Sequence, residues 1–146
     1  APGLGHAIDA AFGRAATAIC YDATHPDLGR ARAALGIVLL AIPASDWRGI
    51  DPVHAEMATV RGVEGGYAIV RSARHATSLA SDAYGRIVAR HRDANPSTSV
   101  MVADLPIPAI TTPYERVGEW WAGLCAIGSS VGLLVVVRRA RSRDLA

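Results

Sequence analysis

Apolar positions along the chain fall into runs whose character changes from one end to the other. Residues 15–19 are a short apolar run ending at Cys20, and Ile37-Val38-Leu39-Leu40-Ala41-Ile42 is a longer one bounded by Gly36 and Pro43. Short apolar runs with β-branched members and turn formers at their ends predict buried strands, the second covered on both faces. Residues 24–34 between them predict a helix, because Pro26 suits a first turn and alanine and arginine are good helix formers. Strand, helix, strand is the pattern of a βαβ unit and so of an α/β fold. Residues 1–13 read as loop, with a short strand near residues 6–8.

A second helix begins with Asp51 as its N-cap and Pro52 in its first turn, and ends at Gly65-Gly66. Val53, Met57 and Val60 share one face at i, i+4, i+7, which predicts the packed side. Glu64 continues that face one turn later, the place of a buried structural acid or one that supports a site. Residues 67–74 alternate as a strand, residues 78–83 and 86–90 form a hairpin around Tyr84-Gly85, and residues 99–105 predict a further strand. Pro106, Pro108 and Pro113 then mark a linker.

The last segment is of another kind. Residues 120–137 carry no charge. As a helix they span about 27 Å, enough for a bilayer core. Trp120 and Trp121 stand at one end, and Arg138, Arg139, Arg141 and Arg143 crowd the other. Interfacial aromatics and a one-sided arginine cluster predict a membrane span with its C-terminus in the cytoplasm and the domain outside. Gly123, Gly128 and Gly132 leave room for a partner helix.

Composition narrows the chemistry. Hydrophobic residues make up 51% of the chain, with the excess near the C-terminus, and a net charge of +2 gives no basic stripe. With only 5% aromatic residues as well, a nucleic-acid surface is excluded. All 15 basic residues are arginine. Cys20 and Cys125 lie in unlike settings, which argues against a disulfide framework. His6, His25, His54, His75 and His91 show no metal-ligand spacing, and His54 reads as a solvated or capping histidine. No metal or cofactor is expected. Cys20 is the candidate nucleophile: a thiol at the end of a strand, Asp22 two residues later, then a helix entry, is how α/β enzymes expose a rigidly held side chain.

These residues carry a family resemblance. Ala18-Ile19-Cys20-Tyr21-Asp22 with Pro26-Asp27 resembles the nucleophile segment of the nitrilase (carbon–nitrogen hydrolase) superfamily. The stretch Pro43-Ala44-Ser45-Asp46-Trp47-Arg48-Gly49-Ile50-Asp51-Pro52-Val53-His54, with Met57 and Arg61-Gly62-Val63-Glu64, looks like the matching region of the apolipoprotein N-acyltransferase branch. So does Thr112-Pro113-Tyr114-Glu115-Arg116-Val117-Gly118-Glu119-Trp120, leading into a terminal membrane helix.

The resemblance implies the C-terminal half of such an enzyme: part of an α-β-β-α sandwich over residues 1–112, a linker over 113–119, a transmembrane helix over 120–137 and a cytoplasmic basic tail over 138–146. It implies a bacterial inner-membrane protein with its catalytic domain outside the cytoplasm. Cys20 would carry an acyl group from a phospholipid as a thioester to the N-terminal amine of a lipoprotein. Tyr21, Asp22, Trp47 and Glu64 match positions around the site, Trp47 in the loop that lines the acyl pocket.

The branch places its catalytic Glu and Lys upstream of the cysteine, and this chain holds no Lys. The piece alone is therefore expected to be inactive. Ala44-Ser45-Asp46 stands where the branch commonly has Ser-Asn-Asp, and Ala73-Arg74-His75-Ala76 departs likewise, with His75 falling where it could face the site. A membrane-tethered amidase and a non-catalytic relic or binding module remain the rival readings.

Overall fold

A computed structural model describes residues 6–47, 49–92, 99–108 and 110–143. The loop read at residues 1–5, Arg48 of the acyl-pocket loop and the last three residues of the basic tail lie outside them. The chain divides into two compact units, Ala1–Arg116 and Val117–Ala146.

The first unit is built on one mixed sheet of six strands in sequence order. They are β1 (Ile8–Ala10), β2 (Gly13–Thr17), β3 (Leu39–Ser45), β4 (Ala68–Arg74), β5 (Thr77–Ser81) and β6 (Ile87–Arg92). β2, β3 and β4 run parallel, flanked by antiparallel β1 on one side and by the β5–β6 hairpin on the other. The parallel pairs are joined by α1 (Pro26–Ala33) and α2 (Asp51–Gly65), so the expected βαβ unit is present twice over.

β3 continues through Pro43, where the sequence suggested its end. β2 pairs only as far as Ala41, with one further bond from the Ala18 N–H to the Ala41 carbonyl (3.0 Å). Beyond that point the β2 side of β3 is open, so the N–H that proline lacks is not missed. Residues 99–108 form no strand; the apolar run read as one at 99–105 pairs with none of the described strands.

Both helices pack on one face of the sheet. The core holds Ala16, Leu40, Ile42, Ile69 and Leu79 from the strands, Ala18 just after β2, Ala33 from α1, and Ala55 and Ala58 from α2. On the other face β3 leaves Leu39 and Ala41 half-buried and Pro43 exposed. One helix layer and one sheet layer are thus present, half of the four layers implied by the resemblance.

The buried side of α2 is not the predicted one. Val53 and Val60 are exposed, while Asp51, His54, Ala55, Ala58, Gly62 and Gly65 face inward. Small residues let the helix lie close to the strands: a Cβ on Gly62 would stand 2.8 Å from Ile69 Cγ1. The outward valines and Met57, with Pro52, Glu56 and Arg61, line a shallow apolar groove of about 340 Å³. Asp51 is the first helical residue rather than the cap. Its buried carboxylate accepts from the Thr77 backbone N–H and pairs with Arg92 Nε (3.1 Å).

Tyr67, fully buried at the entry to β4, lies against the end of α2; burial pushes its phenol up to about 12, against the partial opposition of Arg32 and Arg61. Gly66 terminates the helix at φ +69, and a Cβ there would stand 2.0 Å from the Ile110 carbonyl oxygen. The returning chain is held at the same place by Thr112, whose hydroxyl donates to the Glu64 carbonyl and accepts from the Glu115 N–H (3.0 Å). Replacing Gly66 by Ala forces a left-handed backbone on a Cβ and displaces residue 110. An expected loss of about 2–3 kcal/mol follows, read as a lower urea midpoint at unchanged slope.

The turn into β6 is organised by Asp82. Burial alone pushes its carboxyl up, but hydrogen bonds from the Arg86 backbone and side chain and the Tyr84 N–H outweigh this, so it lies below the usual carboxylate range. A carboxyl lowered in the fold stabilises fully above its unfolded value of about 4 and loses that contribution as pH falls through the lowered value. Asp82→Asn is expected to be less stable than the parent at neutral pH, with the difference shrinking in unfolding curves taken at successively lower pH below 4.

Residues 113–119, read as linker, include the short helix α3 (Pro113–Val117). The second unit is α4 (Trp120–Arg143), which carries the expected apolar span and continues through the arginine cluster. Its stretch Trp120–Arg138 is long and apolar enough to cross a membrane, with a mean hydropathy of 1.9 and none of it buried.

Candidate active site

The C-terminal ends of β2, β3 and β4 lie side by side, the edge at which open α/β sheets present their chemistry. β2 leads through extended Ile19 into Cys20, which opens a 3-10 turn over Cys20–Thr24. Asp22 closes that turn, its N–H donating to the Ile19 carbonyl (2.9 Å), and the Thr24 hydroxyl donates to the Tyr21 carbonyl (2.7 Å). Cys20 itself has φ +47. A left-handed backbone costs a residue with a Cβ about 1–2 kcal/mol, and such strain persists where the surrounding structure enforces it. The thiol is half-buried, with Sγ 3.9 Å from the Ser45 carbonyl at the end of β3.

Asp46 follows Ser45, and its N–H donates to the Arg74 carbonyl (3.3 Å), so the loop leaves β3 tied to the end of β4. The Asp46 carboxylate is fully buried. One oxygen meets His54 Nδ1 at 3.0 Å; the other pairs with the Arg71 guanidinium of β4. Arg71, itself buried, also donates to the Thr77 carbonyl. His54 lies one turn into α2, is 4% exposed, and keeps a buried Nε2 without a hydrogen-bond partner. The Tyr21 ring leans over it at 5.8 Å between centroids and meets His25 edge-on at 5.5 Å. Cys20 Sγ, an Asp46 oxygen and a His54 ring nitrogen lie within 4.8 Å of one another.

His54 is therefore neither solvated nor a cap, as its surface-like neighbours in sequence had suggested. Asp46 and His54 fell inside the stretch that carries the resemblance without being given a site role, and Arg71 was not singled out. The legible hint was positional: Asp46 directly follows the strand beside that of Cys20, and the helix after it starts five residues later.

No protein-family model matches the chain. An apolipoprotein N-acyltransferase from Rhodopseudomonas palustris is 33% identical over 127 residues, covering 83% of this chain and 22% of that protein. One from Azotobacter vinelandii is 30% identical over 131 residues, covering 87% and 25%. The chain is apolipoprotein N-acyltransferase-like. It spans about a quarter of the length of these relatives.

Solved structures agree on the fold. A carbon-nitrogen hydrolase from Helicobacter pylori superposes with a TM-score of 0.62 at 15% identity, over 73% of this chain and 44% of that one. A mutant amidase from Nesterenkonia sp. AN1, with acrylamide added at its active-site cysteine, does so with 0.62 at 18%, over 80% and 48%. That amidase is of the nitrilase superfamily, and the α/β fold of this apolipoprotein N-acyltransferase-like chain is a nitrilase-superfamily fold.

Of the residues that the resemblance marked, Cys20, Tyr21 and Asp22 share the turn at the sheet edge. Trp47 is in the loop directly after Asp46 and is 63% exposed, its indole lying over Gly49. Tyr21 and Trp47 thus present aromatic surface to solvent on the segments flanking the thiol. Glu64 is elsewhere. It pairs with Arg61 (2.6 Å) near the far end of α2, roughly 15 Å along the helix from His54. Its observed partner is structural. His75, at φ +60, makes the exposed turn between β4 and β5 next to the strand end that Asp46 touches.

Proposed function

We propose that this chain is the C-terminal part of a membrane-anchored acyltransferase in which Cys20 carries the acyl group. The observation that carries the reading is the strained Cys20 turn at the C-terminal edge of the parallel strands, in a chain similar to apolipoprotein N-acyltransferases. The Cys20 thiolate attacks an ester carbonyl of a phospholipid, a C–S bond forms, and the ester C–O bond breaks to release a lysophospholipid that takes up the proton. The N-terminal amine of a lipoprotein then attacks the thioester carbonyl; the C–N bond forms, the C–S bond breaks and the thiol is restored. A thioester is reactive enough to acylate an amine, and a thiol is the most nucleophilic neutral side chain. Within this chain no lysine amine competes for it.

The base and the oxyanion-stabilising cation belong to the upstream part of the parent protein in this reading. The chain itself supplies the nucleophile, the turn that aims it, and exposed Tyr21 and Trp47 as apolar surface for an acyl chain. α4 anchors the domain, and its arginine end faces the cytoplasm.

The amidase neighbours support a second reading, hydrolysis of small amides by the same thiol. Incubating the full-length protein with acyl-labelled phospholipid separates the two. A label on Cys20 that hydroxylamine removes is expected for the transferase. Ammonia release from amides with no labelled protein would establish the amidase instead.

A further inference from the structure

Cys20, Asp46 and His54 come from three separate elements: the turn after β2, the loop after β3 and the first turns of α2. None of their spacings resembles a metal motif, yet their ligand atoms converge to within 4.8 Å. Thiolate, imidazole and carboxylate are the donor set of a tetrahedral zinc site, where three protein ligands leave a fourth position open. Zn–N, Zn–O and Zn–S bonds of about 2.0–2.3 Å place such donors roughly 3.3–3.8 Å apart, so closing the cluster needs only small side-chain movements.

Three further observations point to a cation. The Arg71 guanidinium holds one Asp46 oxygen, which orients the other toward His54. His54 is buried and its Nδ1 already meets that oxygen at 3.0 Å, so two of the three donors stand together in the interior. With the thiol ionised, thiolate and carboxylate outweigh Arg71 by one negative charge. The other charged or titratable neighbours are directed elsewhere: Asp51 is held by Thr77 and Arg92, and His25 stacks on the outer side of Tyr21.

The geometry points to a zinc-binding site formed by Cys20, Asp46 and His54. Binding replaces the thiol proton by the cation and releases that proton to solvent, with no change of oxidation state. The soft sulfur selects zinc over magnesium or calcium. A cation there occupies the sulfur lone pair, so zinc reversibly blocks acyl transfer; that consequence rests on Cys20 being the acyl carrier, whereas the binding does not.

The test uses the reduced full chain in detergent. Titration with Co²⁺ as a spectroscopic substitute is expected to give one equivalent bound, with a thiolate-to-cobalt charge-transfer band and the strong visible bands of tetrahedral geometry. Cys20→Ser is expected to remove the charge-transfer band and Cys125→Ser to leave it. His54→Gln is expected to weaken Zn²⁺ competition by about tenfold or more, since even outer partners of zinc ligands are worth that much. Because His54 is buried, a second measurement needs no variant there: Zn²⁺ is expected to protect Cys20, and not Cys125, from iodoacetamide, scored by mass spectrometry. A band that survives Cys20→Ser, or Cys20 alkylated equally fast with and without Zn²⁺, overturns the site. Zinc binding without any labelled thioester in the phospholipid experiment would leave the site standing and remove only the acyl-carrier reading.

Discussion

Cys20→Ser in the full-length parent is expected to abolish the acyl-enzyme and to lower acyl transfer by about 10⁴-fold or more. The two atoms differ little in size, but the serine hydroxyl is a far weaker nucleophile at neutral pH. The other thiol of this chain, Cys125, lies within the apolar stretch of α4. The substitution also preserves the fold, since among the described residues Sγ makes one polar contact, a long approach to the Ser45 carbonyl that a hydroxyl can keep. The measurement is the amount of hydroxylamine-labile label per protein, beside the unfolding midpoint. Unchanged labelling with an unchanged midpoint would remove Cys20 from the chemistry.

Asp46→Ala is expected to destabilise the first unit by about 3–5 kcal/mol, a large fraction of a domain's whole stability. The carboxylate is completely buried between His54 and Arg71, and Arg71 is 2% exposed. Without Asp46 a guanidinium stays in the core with the Thr77 carbonyl as its remaining acceptor. The loss stems from the stranded charge rather than from the pair itself, so removing the charge as well is expected to restore much of it. Asp46→Ala with Arg71→Met is expected to unfold at a higher urea concentration than Asp46→Ala alone. A double variant no better than the single one would show that the carboxylate matters by tying β3 to α2 and not by neutralising Arg71.

These two residues also mark how far the sequence could be read. Cys20 was legible because a thiol closing an apolar run, followed by a turn and a proline-led helix, is a local pattern. The strands around it were legible for the same reason, their apolar runs being set off by Gly36 and Gly66, although β3 runs on through Pro43. Asp46 and His54 were not, because their meeting with Arg71 depends on the parallel register that sets Ser45 beside Arg74.

The packed side of α2 was hidden for another reason. Periodicity weighs Val53, Met57 and Val60 as hydrophobic, but close approach to a sheet favours the smallest side chains, and Ala55, Ala58 and Gly62 have almost no hydrophobic signature. Glu64 followed the same mistaken face; the fold leaves it half-buried and paired with Arg61, at the end of α2 away from His54. Residues 99–105 hold a valine-rich apolar run, but local propensity shows only that a strand could form, and none of the described strands pairs with them.

The clasp at Gly66 bears on mechanics. The chain reaches α3 and then α4 only after the Ile110 carbonyl has settled over Gly66 and the Thr112 hydroxyl has bonded to the end of α2. Any pull carried by residues 110–112 is therefore delivered to the C-terminal end of α2. His54 and the Cys20 thiol lie near the opposite end of that helix, so a stiff rod separates the clasp from the thiol.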